Sequence, residues 1–344
     1  RNRVATSAYY PKLDSNSNFQ NWAYASHFSY DPTGNVKTLI NDFYQEGAID
    51  NTFHRFKRLD YTYDVISGNM LQVHYQLGTA EAFHHKYKYD AENRIIEAKS
   101  SRDGIIWDQD ATYEYYLHGP LARTVIGQNK VQGIDYAYTL EGWLKTINAG
   151  HKNADIGDDF NKNNPYAADA FGMELKYNQF DYNPIGGNSN FLTNADTVSE
   201  ISDLYNGNIS AISLHNQSMS YGKQFKYDQL NRLRSMREKS IDETSLNWLG
   251  DLAAGYLSFY NYDPSGNLTH LQRFDGQAER HMDDFVYHYA QGTDQLTHVV
   301  DTVDPDAFDN DIDNQLADNY NYDKIGNLTA DVSEDICYIG WYPN

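Results

Sequence analysis

The sequence's best match to a metal-binding motif is a run of alternating aspartates, Asp309, Asp311 and Asp313. Alternating carboxylates open the calcium loop of EF-hand proteins, which also needs Gly at its sixth position and a bidentate Glu at its twelfth. Asn314 and Tyr320 occupy those two positions here. We therefore predict a solvated acidic loop and no cofactor, with a calcium site as the alternative.

The common motifs of zinc sites, hydrolases and phosphate-binding loops are missing from the sequence. The 12 histidines are scattered, with no His-Glu-x-x-His pair to hold zinc. Neither the Gly-x-Ser-x-Gly elbow of hydrolases nor the Gly-x-x-x-x-Gly-Lys phosphate loop occurs. Cys337 is the only cysteine, so no internal disulfide can form, and we predict that it packs as a small buried hydrophobe. We predict no catalytic residue and no enzymatic activity.

The composition excludes two classes of partner. The chain has 27 Lys and Arg against 48 Asp and Glu, a formal charge of -21, which opposes binding to nucleic acid or to an anionic membrane surface. No apolar run is long enough to form a membrane-spanning helix. Mean hydropathy is low, at -0.74, yet 15% of residues are aromatic and 30 are Tyr. These rings supply the apolar area that a disordered chain would lack.

A short motif recurs along the chain, as in Phe28–Val36, Tyr260–Leu268 and Tyr320–Leu328. Each copy has an aromatic residue, any residue, a central Tyr, usually Asp, a turn, and then an apolar residue. The nine central tyrosines are Tyr30, Tyr63, Tyr89, Tyr115, Tyr138, Tyr227, Tyr262, Tyr289 and Tyr322. A tenth, degenerate copy is placed at Phe180–Gly186.

The motif predicts a β-hairpin. Two rings spaced by one residue lie on one face of a strand, and Asp followed by Pro and Gly fits a type I turn. The turn aspartates are Asp31, Asp64, Asp90, Asp228, Asp263 and Asp323. The fourth turn residue should be left-handed, which suits Gly and, next best, Asn. That position holds Gly34, Gly119, Gly142, Gly266, Gly326, Asn93 and Asn231.

Hairpins at hairpin-sized spacing predict an all-β chain in which strands form a continuous sheet. We treat residues 1–344 as a single segment, with a loop-rich insertion at about 148–208 that is rich in Asn, Asp and Gly. One or two helical turns could lie in 199–204 and 242–254. The last residues read as the middle of a domain, so we expect a fragment of a longer polypeptide.

The repeat aromatic–x–Tyr–Asp–x–x–Gly–Asn/Arg–Leu resembles that of the RHS/YD-repeat proteins, which include bacterial polymorphic toxins, the Tc toxin shell and the animal teneurins. The resemblance covers roughly Phe28 to Leu328 and implies a sheet of hairpins that spirals into a large hollow shell, or cocoon. In toxin members the shell encloses a C-terminal effector. In many of these members, a core segment after the repeats contains paired aspartates that cut the effector free. Asp304-Pro305-Asp306 contains an Asp-Pro pair, but it lies within a loop before Tyr320 and not in such a core segment.

The resemblance therefore implies a structural role. We expect part of the shell of a secreted or cell-surface protein that encapsulates a C-terminal effector and does no chemistry. Its partners would be the remaining shell, core segment and effector of its own polypeptide, and possible secretion machinery. The alternative is an extracellular adhesin that uses the same shell to bind a receptor or glycan. An enzyme with its site in the long loops is the third hypothesis.

One further expectation concerns the tyrosines. In a one-layer wall, each ring should stack on a tyrosine of the neighbouring strand and leave its hydroxyl to water or cargo.

Overall fold

The structure is a computed structural model, and the residues that it describes run from 3 to 341. They are 3–9, 24–43, 55–151, 156–157, 159, 166–184, 192–193, 201–216, 218–242, 244–251, 256–276, 280–304, 308, 312 and 314–341. Within these ranges there are 22 β-strands, and Arg55 is the one residue in helical conformation. The predicted all-β fold is confirmed.

The chain divides into two compact units, one of residues 1–135 and 161–168 and the other of residues 136–160 and 169–344. The strands of the first unit are β1 (Thr6–Tyr9), β2 (Tyr24–Tyr30), β3 (Val36–Phe43), β4 (Phe56–Tyr63), β5 (Met70–Tyr75), β6 (Phe83–Tyr89), β7 (Ile95–Ser101), β8 (Asp108–Tyr115), β9 (Leu121–Ile126) and the first half of β10 (Gln132–Tyr138).

The second unit holds the rest of β10 and the strands that follow it. They are β11 (Leu144–Ile147), β12 (Phe171–Lys176), β13 (Ala211–Asn216), β14 (Ser220–Tyr227), β15 (Leu233–Ile241), β16 (Trp248–Asp251), β17 (Leu257–Tyr262), β18 (Leu268–Phe274), β19 (His281–Tyr289), β20 (Leu296–Asp301), β21 (Tyr320–Tyr322) and β22 (Leu328–Asp331).

Twenty strands form one antiparallel sheet, and β21 and β22 form a separate two-stranded ladder. Each strand pairs with the next one in the chain, so the sheet is a meander. The exception is β15, which pairs with both β16 and β17. Such a meander follows from hairpins repeated along the chain, because short turns favour antiparallel neighbours.

Each of the nine hairpins that contain a predicted central Tyr has the same irregularity. The register shifts by one residue immediately before the central Tyr, as between Ser29 and Tyr30 or between Lys88 and Tyr89. This is the bulge predicted for a type I turn closed by a left-handed residue. It places the post-turn apolar residue opposite the central Tyr, as in the Tyr30–Val36 and Tyr89–Ile95 pairs.

Few apolar side chains are fully buried in the part of the chain that the structure describes. In the second unit Ala211, Ile241 and Trp248 form a small core, with Ile201 packed against it. Buried polar side chains are more numerous than buried apolar ones. Aromatic rings and polar networks therefore do much of the packing that Val and Leu do in a two-layer protein.

The structure corrects several sequence-based predictions. The stretch at 148–208 is not loop throughout, because β12 lies inside it and pairs with β11 and β13. Described residues of 242–254 form a turn and β16, not a helix, since Trp248 buries its ring beside β14 and β15.

Cys337 is exposed, not buried, because it lies in irregular chain beyond the last strand, directly after the bridge between Asp331 and Ile336. Asp309, Asp311 and Asp313 lie outside the described residues. No helix in the described part of the chain is long and apolar enough to cross a membrane.

Candidate functional site

The repeated turn is the most regular polar site in the molecule, and Asp31 shows its design. One carboxylate oxygen of Asp31 accepts hydrogen bonds from the backbone N–H of Gly34 at 2.5 Å and of Asn35 at 2.9 Å. It also accepts the Thr33 hydroxyl at 2.7 Å. The carboxylate thus closes the turn from within. The same role is held by Asp64, Asp90, Asp228, Asp263 and Asp323.

These hydrogen bonds stabilise the ionised carboxylates. At Asp31 the Thr33 hydroxyl contributes most, with the Gly34 and Asn35 amides, and lowers the pKa to about 2 against a weaker opposing effect of burial. The pKa of Asp64 is lowered mainly by the Ser67 N–H, and the pKa of Asp228 mainly by the Arg232 N–H. Turn aspartates with this many hydrogen-bond donors remain ionised, and their carboxylates stabilise the turn backbone.

The fourth turn residue has positive φ in these hairpins. It is 107° at Gly34, 100° at Gly266 and 93° at Gly326, and it is 63° at Asn93 and 62° at Asn231. Gly119 and Gly142 are also left-handed. A shared backbone requirement therefore accounts for the exchange of Gly and Asn at this position.

Seven of the nine predicted central tyrosines, all but Tyr138 and Tyr262, donate a hydroxyl to the strand before their hairpin, and Tyr177 does the same. Tyr115 donates its hydroxyl to the Ile95 carbonyl at 2.8 Å, and Ile95 is the residue opposite Tyr89 in the preceding hairpin. The bonds of this tyrosine ladder are Tyr30–Val4, Tyr63–Val36, Tyr89–Met70, Tyr115–Ile95, Tyr177–Leu144, Tyr227–Ile209, Tyr289–Leu268 and Tyr322–Leu296. Burial raises the pKa of Tyr115 and Tyr227, so these phenols stay protonated donors.

The expectation for the tyrosine hydroxyls was therefore wrong for the ladder. They bond the backbone instead of facing water or cargo, because the preceding hairpin leaves a carbonyl within reach of each ring. Ring stacking occurs within a strand, as between Tyr61 and Tyr63, with centroids 6.4 Å apart.

Two arginines add a second link between hairpins. Arg94 follows the turn of the Tyr89 hairpin, stacks 4.5 Å from the ring centroid of Tyr115, and donates to the Gly119 carbonyl at 3.2 Å. Arg232 stacks on Tyr262 in the same way at 4.8 Å. An arginine after the turn thus clamps the next hairpin by cation–π contact.

A constant register connects successive hairpins within the twenty-stranded sheet. At each junction, the residue two positions after the post-turn residue pairs with the residue three positions before the next central Tyr. For example, Thr38, two positions after Val36, pairs with Asp60, three positions before Tyr63. These pairs are Thr38–Asp60, Gln72–Lys86, Glu97–Thr112, Arg123–Asp135, Thr146–Glu174, Ala211–Gln224, Ser235–Phe259 and His270–Val286. The Thr146–Glu174 pair identifies Tyr177 as a central tyrosine that sequence analysis missed.

The Tyr177 hairpin has an expanded turn. Lys176 pairs with Ala211 just as Lys88 pairs with Glu97 in the Tyr89 hairpin, so the strands β12 and β13 are an ordinary repeat. Residues 178–208 replace the short Asp turn between them. The degenerate copy placed at Phe180–Gly186 is wrong, since Tyr182 lies in that connection and not in a strand.

A buried ionic cluster fixes the expanded turn to the sheet. The ammonium of Lys145 lies 3.2 Å from Glu174 and 3.0 Å from Asp181, and it donates to the Leu175 carbonyl at 2.8 Å. Glu174 accepts both the N–H and the hydroxyl of Thr193 at 2.8 Å. All three charged side chains are almost completely buried. We call Lys145, Glu174 and Asp181 the Lys145 cluster.

The cluster fits a structural role better than a chemical one. The Lys145 side chain has three acceptors within 3.2 Å, so its hydrogen bonds fix it between the strand and the expanded turn. Among the described residues, no three His, Cys, Asp or Glu side chains lie together as a metal site requires. In a cleft of about 420 Å³ lined by Phe83, Ser100 and Asp103, Asp103 accepts the Ile106 N–H within a turn and Asp110 accepts the Ser100 hydroxyl from the neighbouring strand.

No protein-family model and no curated protein matches the chain in sequence. Solved structures do match in fold. A mutant Tc holotoxin pore of Photorhabdus luminescens matches over 89% of this chain, with a TM-score of 0.52 and 15% identity. TcdB2–TccC3, alone and with Cdc42, matches over 89% with TM-scores of 0.53 and 0.54, also at 15% identity. The chain spans 14% of the length of each of these chains. Its fold is therefore that of an RHS/YD shell segment.

Proposed function

We propose that this chain is part of the wall of a hollow RHS/YD shell, and that the complete protein is secreted or displayed at the cell surface and encloses a C-terminal effector polypeptide. The observation that supports this most is the constant register between hairpins. A constant register lets the sheet extend by any number of repeats, as a wall requires. The turn carboxylates and the ladder hydroxyls bond the backbone, so they too serve the architecture. We assign no catalytic role to this segment.

Charge adds a preference for cargo. A wall with a formal charge of -21 attracts a cationic polypeptide. Retention of such a cargo should weaken as salt screens the attraction, whereas a purely steric cage would show no salt dependence.

Protease protection tests the proposal in the full-length polypeptide. Replacing Tyr63, Tyr89 and Tyr115 with Phe removes three ladder hydroxyls. The matched control replaces Tyr61, Tyr87 and Tyr113, which lie two residues earlier in the same strands. We expect an enclosed fragment that resists protease in wild type and control and becomes digestible in the ladder variant. Equal digestion in all three proteins, or no enclosed fragment, contradicts the proposal.

A second candidate is an adhesin or partner-binding surface built on the same sheet. Turn tips in both units expose apolar side chains almost completely: Val65, Ile66, Leu117, Leu140 and Ile325. A contiguous exposed apolar patch is typical of a contact surface, whereas single exposed apolar residues are common on any protein, so this candidate needs a binding test. Binding of the full-length protein to cells or a glycan array, lost when these tips are changed to Ser, would favour this candidate over the shell.

A further inference from the structure

The Lys145 cluster places an amine directly against a carboxyl group. Lys145 Nζ lies 3.0 Å from Oδ1 of Asp181 and 3.2 Å from Oδ2, so the nitrogen faces both oxygens of one carboxylate. The side chain of Lys145 is 1% exposed and that of Asp181 is 4% exposed. An amine and a carboxyl group held this close form an intramolecular pair, whose effective concentration far exceeds any reached in solution.

Glu174 is placed to move protons to and from that amine. Its Oε1 lies 3.2 Å from Lys145 Nζ. Its Oε2 accepts the N–H and the hydroxyl of Thr193, both at 2.8 Å, and the Thr193 Oγ1 accepts the Trp248 Nε1–H at 2.9 Å. These hydrogen bonds fix one oxygen of Glu174 and leave the other facing the amine, which is the arrangement that a general base requires.

Asp181 has a donor for the charge that develops when its carboxyl carbon is attacked. The Tyr177 backbone N–H donates to Asp181 Oδ2 at 2.8 Å. A tetrahedral intermediate carries negative charge on that oxygen, and a backbone N–H stabilises it as in an oxyanion hole. Among the described residues, Oδ1 has no partner other than Lys145, so Oδ1 is the oxygen that can leave.

We propose that Lys145 and Asp181 form an internal amide, an isopeptide bond, with Glu174 as the proton acceptor. Glu174 takes one proton from the Lys145 ammonium, and the neutral Nζ, buried away from water, attacks Cγ of Asp181. Glu174 passes this proton and then a second one from the nitrogen to Oδ1, which leaves as one water. An Nζ–Cγ bond forms and the Cγ–Oδ1 bond breaks, so no oxidant, reductant or further reactant is needed.

The product keeps the hydrogen bonds that the cluster already has. The amide oxygen is the former Oδ2 and retains the Tyr177 N–H. The hydrogen left on Nζ donates to the Leu175 carbonyl, which lies 2.8 Å from Nζ. Amide formation also removes two opposite charges from the interior, where their desolvation is costly.

The bond has a structural consequence. It joins β11 to the expanded turn across 36 positions of the chain, so the turn is attached to the sheet permanently. The reaction occurs once, within the chain and on no separate substrate. The inference goes beyond the proposed function, because the bond forms whether or not the shell encloses a cargo.

Mass spectrometry of the purified full chain tests the inference. We expect an intact mass lower than the sequence mass by one water, and a tryptic peptide in which Lys145 is joined to Asp181. Glu174→Gln removes the proton acceptor at nearly constant size and should lower the crosslinked fraction to about a tenth or less. Glu81→Gln is the matched control, because Glu81 pairs with Lys57 at a partly exposed site, and it should crosslink like wild type.

Two further measurements decide the outcome. Asp181→Ala removes the attacked carbon and should restore the full sequence mass, while circular dichroism checks that each variant keeps its strands. The inference is overturned if folded wild type has its full sequence mass, or if folded Glu174→Gln crosslinks as completely as wild type. It is also overturned if the loss of water persists in Asp181→Ala, since the water then comes from another residue.

Discussion

At the residue scale, the tyrosine hydroxyl is the group that links neighbouring hairpins. Most ladder bonds satisfy a backbone carbonyl that lies at a bulge, where the regular strand pairing is interrupted, as at Ile95 opposite Tyr89. A hydroxyl in this place specifies which residue of the preceding hairpin lies next to each ring.

Tyr115→Phe tests the ladder. It removes the bond to the Ile95 carbonyl and should lower the free energy of unfolding by about 1 kcal/mol. Tyr113→Phe is the control, because no described residue hydrogen-bonds the Tyr113 hydroxyl, and it should change stability little. Urea denaturation of both variants measures the difference. Equal losses would show that the hydroxyl bond contributes nothing specific.

Asp31→Asn tests the turn carboxylate. The folded pKa of Asp31 is about 2, below the unfolded value of about 3.9. A lowered folded pKa stabilises the protein above the unfolded pKa, and that contribution is lost as pH falls toward 2. We expect the variant to melt lower at pH 6 and to converge with wild type near pH 2 in thermal scans. Parallel melting curves across this range would contradict the assignment.

Gly266 is the best position for testing the left-handed turn residue. Its φ is 100° and no atom lies within 4 Å of the place that a Cβ would occupy, whereas at Gly34 a side chain would also meet Arg3. Gly266→Val should cost about 1 kcal/mol or more, because a β-branched residue resists positive φ. Gly266→Asn should cost much less, since Asn occupies this place at Asn93 and Asn231. Chemical denaturation distinguishes the two.

At the element scale, the hairpin is the unit that the sequence encodes, and its prediction depends on local signals. Ring spacing, the turn Asp and the left-handed Gly or Asn all lie within nine residues, so they are readable without the fold. The Tyr177 hairpin was missed because residues 178–208 separate its two strands. Phe180-x-Tyr182 imitates the local motif, and contacts between strands reveal the true repeat: the register of Thr146 with Glu174 and the hydrogen bond from Tyr177 to the Leu144 carbonyl.

The Lys145 cluster was equally inaccessible to sequence reasoning. Its members are ordinary charged residues, and Lys145 is 36 positions from Asp181. Similarly, the destination of each tyrosine hydroxyl depends on how one hairpin pairs with the previous one. Contacts across strands are set by tertiary register and not by neighbouring residues.

Lys145→Met tests whether the cluster anchors the expanded turn. It leaves two buried carboxylates without their cation and should cost roughly 3–5 kcal/mol. Lys57→Met is the matched control, because the Lys57–Glu81 pair is partly exposed and should contribute no more than about 1 kcal/mol. Unfolding curves for both variants measure the contrast. A similar small loss in each would assign the cluster no special role.

At the scale of the whole molecule, the sheet keeps its register despite unequal turns. The short turn at Asp31 and the long connection at 178–208 join strands paired in the same way. The strands and their ladder bonds, and not the turn length, therefore position each repeat.

Insertion of ten Gly and Ser residues after Leu117 tests this independence. Leu117 is fully exposed at a turn tip, so loop closure should cost only about 1 kcal/mol and the sheet should persist. The same insert after Tyr113, inside β8, should abolish pairing with β9. Circular dichroism and thermal melting report both outcomes. Loss of strand structure in the Leu117 variant would mean that the short turn is required.

The expanded turn at 178–208 has an evolutionary consequence. Because a repeat tolerates a long addition between its strands, each hairpin tip is a place where new sequence can be acquired without redesigning the scaffold. Lineages could thus diversify the hairpin tips of such a protein one at a time while the tyrosine and aspartate framework stays unchanged.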